Sequence, residues 1–476
     1  MTETTINTEL IDTHAHLDDP RFDKDLQRVI EDAKTAGVGE IISVGCWSEK
    51  LGFDRLLKVK ERFPKVHLAL GIHPHEAKEV VSNKTYELIK KLASEASKDV
   101  LAIGETGLDF HYTNSPREKQ IEVFRAQIAL ARELKLPLII HTREADKETA
   151  EILKEEKAGE IGGVIHCFSG TSEFAKKALD MGFYLSFTGI ITFPKASELR
   201  AVVEATPIEK ILVETDAPYL APVPYRGKRC ESAHVVETAK KIAEIKGLTP
   251  SDVARITTLN ARELFWGFNK EDKENEAEIA YVIRDSLYLN ITNKCTNACT
   301  FCAKFSSYTV KGHYLKLKKE PDFDEVLAAV SALGKDPTEY EEIVFCGFGE
   351  PLIRLELLRK IGLHFKRMGC RIRVDTDGLA NLVHGGGVLP KLAFVDEISV
   401  SLNAPDAKTY NEICKSPYGE EAYPAILYFL REAKKHITKV QATVVGLPGL
   451  DTEACKRIAT EDIGVAFRVR KYNEVG

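Results

Sequence analysis

Three cysteines, Cys295, Cys299 and Cys302, fall within eight residues as C-x3-C-x2-C, while the other seven of the ten are scattered. Thiolates at such spacing hold iron–sulfur clusters or zinc. Three thiols are one ligand short of a closed zinc site, and His313 is the nearest candidate for a fourth. A 4Fe–4S cluster on three cysteines instead leaves one iron free to bind something else. A second constellation lies upstream. His14 and His16 stand as H-x-H, and Glu105, His141, His166 and Asp216 each close or follow an apolar run. Four histidines and two carboxylates are too many for one ion and suit two, with Glu105 or a water bridging them. Nitrogen-rich ligation favours zinc, manganese, nickel or iron, while carboxylates and an oxyanion substrate keep magnesium open.

To converge, these side chains need strands that all end at one face. Eight β-branched or apolar runs alternate with amphipathic helical stretches: ELID, VGEIISVG, VHLALGI, VLAIG, PLIIH, GGVIHC, GFYLSFT and KILVET. That order calls for parallel pairing, and about 250 residues is the usual size of a (β/α)8 TIM barrel. The alternative is an open doubly wound sheet. In a barrel the metal-competent residues sit at the C-terminal strand ends, and the two-residue spacing of His14 and His16 puts both on one face of an extended chain. The alternation restarts after the charged stretch NKEDKENEAE with LYLNIT, EEIVFCG, RIRVD, DEISVSL, VQATVVG and VAFRVR, which predicts a partial (β/α)6 barrel. The expected division is 1–268, a charged linker 269–279, and 280–476. The cysteine cluster falls on the loop after the first strand of the second domain.

With 476 residues, 44% hydrophobic and 29% charged, the chain is an ordinary globular protein of at least two domains. Sixty-six basic against 72 acidic residues give a net charge of -6, so contact with phosphates must come from a local basic patch. The start MTETTINTELIDTHAH has no basic and apolar leader, and no run of about 18 apolar residues occurs, so a cytoplasmic protein without membrane spans is expected.

The motifs DTHAHLD, GIHPHEA, GETGLDF, HTREA, HCFSG, TGIITF, ETDAPYL and ITTLNARELF resemble the TatD family of metal-dependent hydrolases and deoxyribonucleases over residues 8–268. The resemblance implies that His14, His16, Glu105, His141, His166 and Asp216 are the ligands of two divalent ions (Mg, Mn or Zn), with Glu105 and Asp216 catalytic. It also implies a substrate-facing role for His73, Arg143, Tyr219 and the basic loop Arg226, Lys228 and Arg229. Asp109 and Glu214 look like orienters of the ligands. Where the family usually has Asn and Pro after the basic loop, this chain has Cys230 and Ser232.

The cysteine pattern and its companions in order resemble the radical S-adenosylmethionine enzymes over most of 285–450. CGFGEP (346–351) is similar to their GGEP segment, which implies Gly349 and Glu350 at the methionine amino group; here Phe348 stands between the glycines. Phe301 would pack near the adenine. RVDTDG with Asp375, VSLNA with Ser401 and Asn403 at the ribose, and VVGLPG with Val445 on the adenine side complete the set. Such an enzyme carries a 4Fe–4S cluster and S-adenosylmethionine and needs a one-electron donor of the flavodoxin or ferredoxin type.

The resulting expectation is a bifunctional enzyme, with DNA or RNA phosphodiesters as the hydrolase substrate and an unassigned radical target. Alternatives are another ester, such as D-aminoacyl-tRNA, a cyclic amide, or one domain serving only as a binding module. A cyclic amidase would usually want a carbamylated Lys where this chain has Glu105.

Overall fold

Short runs rich in Val, Ile and Leu form most strands of two compact units, Met1–Asn269 and Lys270–Gly476. The computed structural model describes residues 9–50, 52–96, 98–112, 114–267, 277–302 and 308–472. Most of the charged stretch expected as a linker, 269–276, lies outside the described residues.

In the first unit eight parallel strands follow chain order around the sheet: β1 (Leu10–Ala15), β2 (Val38–Cys46), β3 (Val66–Gly71), β4 (Val100–Asp109), β5 (Leu138–Arg143), β6 (Gly163–Ile165), β7 (Tyr184–Phe187) and β8 (Ile211–Val213). A parallel bridge between Ala15 and Ala217 brings the first strand to the chain just past the last. This is the expected TIM barrel. Its interior is filled by Ile11, Ile42, Ala69, Ala102, Ile139, Val164, Tyr184 and Leu212, one from each strand. Phe265, from the helix Pro250–Trp266, packs into the same cluster. Burying one such ring is worth about 1.5–3 kcal/mol. A second, larger apolar layer lies between the strands and their helices.

Two irregularities in the ladder matter for the site. Between Asp12 and Ala15 β1 slips against β2, and between Ile103 and Thr106 β4 slips against β5. Bulges of this kind bend a strand and re-aim side chains. They fall at His14 and at Glu105. Gly104 beside the second has φ +154, and a Cβ there would lie 2.5 Å from the Ile139 carbonyl oxygen, so only glycine fits. Strand β4 does not end at Glu105, as the apolar run suggested, but continues in register to Asp109.

The second unit has β9 (Ala280–Ile283), β10 (Ser286–Leu289), a separate pair β11 (Thr309–Val310) and β12 (His313–Tyr314), then β13 (Ile343–Phe345), β14 (Ile372–Thr376), β15 (Glu397–Ser401), β16 (Lys439–Gly446) and β17 (Ala466–Lys471). Its sheet order is β17-β16-β15-β14-β13-β10-β9. The six predicted strands are parallel, and β9 adds a seventh, antiparallel to β10. Among the described residues no helix is long and apolar enough to cross a membrane.

Candidate active sites

The ladder slips and strand ends of the first unit gather its histidines around one carboxylate. Glu105 is 3% exposed. Its Oε1 lies 2.8 Å from His141 Nδ1, 2.8 Å from His166 Nε2 and 3.5 Å from His73 Nε2. Its Oε2 lies 3.4 Å from His14 Nε2 and 3.8 Å from His16 Nε2. Asp216, held by its own N–H donating to the His14 carbonyl, reaches His16 Nε2 at 3.4 Å and His14 Nε2 at 3.9 Å. Three sets of ligand atoms each converge within 4.8 Å: His14, His16 and Glu105; His14, His166 and Asp216; His73, Glu105 and His141. All six residues expected as ligands therefore meet at one mouth.

The rings are fixed from behind, as metal-bound imidazoles are. His16 Nδ1 lies 2.9 Å from the Val44 carbonyl, His166 Nδ1 3.2 Å from Glu214 Oε1 and His141 Nε2 3.3 Å from Asp109 Oδ2. Glu214 also accepts from the Cys167 N–H at 2.5 Å. Burial opposes charge on Glu105, but His166, His73, His14 and His141 hold its carboxyl well below the ordinary range. Burial also opposes the His16 imidazolium, yet Asp216 and Glu105 raise it to about 9. In His14, burial and the stacked His166 ring, 3.9 Å away, lower the pKa. Nitrogen and oxygen donors in this proportion, with the second nitrogens of His16, His141 and His166 already tied, fit a pair of divalent ions.

In the second unit the cysteine loop follows β10. Cys295, Cys299 and Cys302 are half-buried. The loop is pinned by the Ala298 and Thr300 N–H groups donating to the carbonyls of Cys414 and Ile413, at 3.0 and 2.8 Å. The Glu350 N–H donates to the Lys294 carbonyl at 2.7 Å. A Cβ on Gly349 would sit 2.2 Å from the Thr292 carbonyl oxygen, which is why that position is glycine. Asn403 is buried at φ 57, and among the described residues its Oδ1 has no hydrogen-bond partner. Three thiols on one short loop beside a spare buried acceptor fit a cluster and a polar ligand.

The TatD related DNase profile matches residues 11–266, more than half of the chain. The chain belongs to the TatD-related DNase family. The "uncharacterized metal-dependent hydrolase YabD" of Bacillus subtilis is 44% identical over 256 residues, covering 54% of this chain and 98% of that protein. The "3'-5' ssDNA/RNA exonuclease TatD" of Rahnella is 36% identical over 257 residues, 52% of this chain and 95% of the relative. The crystal structure of the TatD homologue YJJV from Escherichia coli superposes with a TM-score of 0.51 at 30% identity, covering 54% of this chain and 97% of that one. The radical SAM superfamily profile matches residues 289–460, so the second unit is a radical SAM domain.

Around the TatD mouth, the residues expected to face substrate are differently disposed. His73 joins the Glu105 cluster. Tyr219 is 48% exposed, edge-on to His16, with the Arg21 guanidinium over its ring at 4.3 Å. Arg143 lies over Tyr112 at 4.8 Å. In the basic loop, Arg226 stacks on Phe193 and Lys228 is exposed, whereas Arg229 is bound by Asp25 and Glu231. Cys230 and Ser232 are buried, and the Cys230 thiol points to the Thr215 carbonyl at 3.9 Å. The departure from the family pattern is thus in a packed layer.

Sequence reasoning missed His75, whose Nε2 lies 3.0 Å from the Asp109 carboxylate that also meets His141. The second histidine of HPH was the available signal. It also missed Cys46, with its thiol 4.0 Å from Glu105 Oε2.

In the radical SAM domain, Phe301 packs on the main core and Asp375 pairs with Arg373 at 2.8 Å. Ser401 Oγ lies 3.5 Å from Arg470, and Val445 of β16 pairs with Arg470 of β17. Phe348, the departure between the glycines, packs with Val310, Leu315 and Tyr281 and edge-on to Tyr308. The Glu350 carboxylate accepts from the Leu352 N–H and, at the end of β14, from the Thr376 hydroxyl and the Asp377 N–H.

Proposed function

We propose that the TatD barrel is a divalent-metal-dependent nuclease that hydrolyses DNA or RNA phosphodiesters. The radical SAM domain, on the same reading, binds a 4Fe–4S cluster and S-adenosylmethionine and generates a 5′-deoxyadenosyl radical. The observation that supports the hydrolase best is Glu105, one buried carboxylate within 4 Å of five imidazoles.

His14, His16, Asp216 and Glu105 would hold one ion and Glu105, His141 and His166 the other, with His73 beside them. Magnesium, manganese or zinc there supplies an activated water and charge stabilisation for an in-line displacement. The protein's own part is orientation. Asp109 and Glu214 fix the rings of His141 and His166, and the Val44 carbonyl fixes His16. Asp216 would accept the proton of the attacking water. Arg143, Tyr219, Arg226 and Lys228, with Arg229 behind them, would face the substrate backbone, where positive charge and an aromatic ring suit an unpaired strand. The relative described as a single-stranded DNA and RNA exonuclease favours this substrate over another ester.

In the radical SAM domain Cys295, Cys299 and Cys302 would hold the cluster, and Phe301, Gly349, Asp375, Ser401, Asn403 and Val445 would surround the cofactor. The loaded cluster supplies one electron, taken from a flavodoxin or ferredoxin type of donor, for cleavage of the sulfonium C–S bond. Asn403 Oδ1, which has no hydrogen-bond partner among the described residues, would accept from a ribose hydroxyl.

End-labelled single-stranded oligonucleotides incubated with the metal-loaded chain test the first half. Laddered cleavage that stops on chelation and returns with manganese supports it; intact oligonucleotide with every ion sinks it. Anaerobic reconstitution tests the second: 5′-deoxyadenosine on reduction with S-adenosylmethionine is the expected product, and none with a full cluster refutes it.

A further inference from the structure

Two buried acidic residues hold the cysteine loop on both sides of Cys295, Asp377 through its carboxylate and Glu350 through its backbone N–H. Asp377, 8% exposed, accepts from the Thr296 hydroxyl, from Asn297 Nδ2 at 3.3 Å and from the Leu379 N–H at 3.0 Å. Thr296 and Asn297 directly follow Cys295. Asn297 is also tied to the Tyr410 hydroxyl at 2.9 Å. Lys294, directly before Cys295, accepts through its carbonyl from the Glu350 N–H at 2.7 Å.

Glu350 closes the ring. Its Oε1 accepts from the Leu352 N–H at 2.9 Å and the Thr376 hydroxyl at 2.8 Å, and its Oε2 from the Asp377 N–H at 2.7 Å. Three donors from the protein occupy the carboxylate, and the residue is only 3% exposed. These donors take three of the roughly four acceptor sites, and a methionine ammonium could reach the last only by opening the packing around a buried group, at a cost of about 1–3 kcal/mol for each internal hydrogen bond broken. The same contacts run without a break from Lys294 through Glu350 and Asp377 to Thr296 and Asn297.

We infer that Glu350 and Asp377 form a carboxylate brace that sets the geometry of the Cys295 end of the loop, and that Glu350 is a positioning residue for the cluster, not the acceptor for the cofactor's amino group. This rests on the reading of Cys295, Cys299 and Cys302 as cluster ligands. Groups behind ligands are the levers on cluster retention and potential.

The test uses the full chain, reconstituted anaerobically with iron and sulfide, as wild type, Glu350→Gln and Asp377→Asn. Iron retention against a chelator and midpoint potential by EPR-monitored titration are read without S-adenosylmethionine, and cofactor affinity is read afterwards on the loaded fraction. Both variants are expected to lose iron about 10-fold faster or more and to shift the potential, with cofactor affinity per cluster preserved. Glu350→Gln with wild-type retention and potential but cofactor affinity reduced about 10-fold would assign Glu350 to the ammonium and overturn the brace. If a carboxylate variant does not fold, Thr296→Val, which removes one hydrogen bond, carries the same expectation in weaker form, and unchanged retention and potential there count against the brace. A wild-type chain that takes up no iron overturns the cluster reading itself, and that failure is visible before any substitution.

Discussion

Oε1 of Glu105 lies 2.8 Å from Nε2 of His166, across the barrel mouth from β4 to the end of β6. With the opposite oxygen facing His14 and His16, one carboxylate serves both halves of the ligand set. Glu105→Ala should therefore lower metal occupancy at both halves together, and hydrolysis with it. Metal analysis of dialysed protein checks this. Retention of one tightly held ion would show two independent sites.

The residues behind the ligands should matter nearly as much. Asp109 meets His141, and Glu214 meets both His166 and the Cys167 N–H. Asp109→Asn and Glu214→Gln should each weaken metal binding about 10–100-fold while leaving the fold intact. Competition titration against a chromogenic chelator reads the affinity, and circular dichroism reads the fold. An unchanged affinity would reduce these carboxylates to packing.

Arg229 is an anchor in its ion-pair lattice. Asp25 accepts from Arg229 and Arg28, and Arg28 also meets Glu231, tying the helix Leu26–Thr35 to the loop after β8. Arg229, then Arg28, hold the Asp25 carboxyl well below the ordinary range. A depressed folded-state pKa gives stability that is present above the unfolded value of about 3.9 and declines as pH falls below it. Asp25→Asn should thus melt lower than wild type at neutral pH, with the gap narrowing on acidification below about 3.9 and in high salt. Thermal melts across pH check the sign; a gap that widens in acid contradicts it.

How far this was readable from sequence depends on what each residue does for the backbone. All eight barrel strands are apolar runs between turn residues, and their burial made them legible. The extension of β4 through Glu105 to Asp109 was not, because its later positions carry polar groups chosen for the site. Strand β9 was missed because its hairpin turns through Arg284 and Asp285, a pair without the usual Asn-Gly or Asp-Gly signal. The metal ligands were legible since histidines and carboxylates at strand ends need a reason. Asp377 was not, since an aspartate before glycine reads as a turn residue until the Cys295 loop is seen against it.

The barrel floor gives a prediction independent of metal. Phe265, 4% exposed, comes from the last turn of the helix Pro250–Trp266 and packs with Ile11, Ala69 and Leu212, residues of three different strands. No polar partner is involved, so the loss on truncation is transfer energy plus the cavity left among strands that cannot collapse inward without breaking their ladder. Phe265→Ala should cost about 3–5 kcal/mol, whereas Phe265→Leu, which keeps most of the volume, should cost less than about 1.5 kcal/mol. Chemical denaturation of the TatD transition measures both. Because Phe265 belongs to the same apolar cluster as Ile139, which packs against the Gly104 bulge, the Ala variant should also bind metal less tightly than the Leu variant. Equal stability of the two would mean the helix end does not seal the barrel.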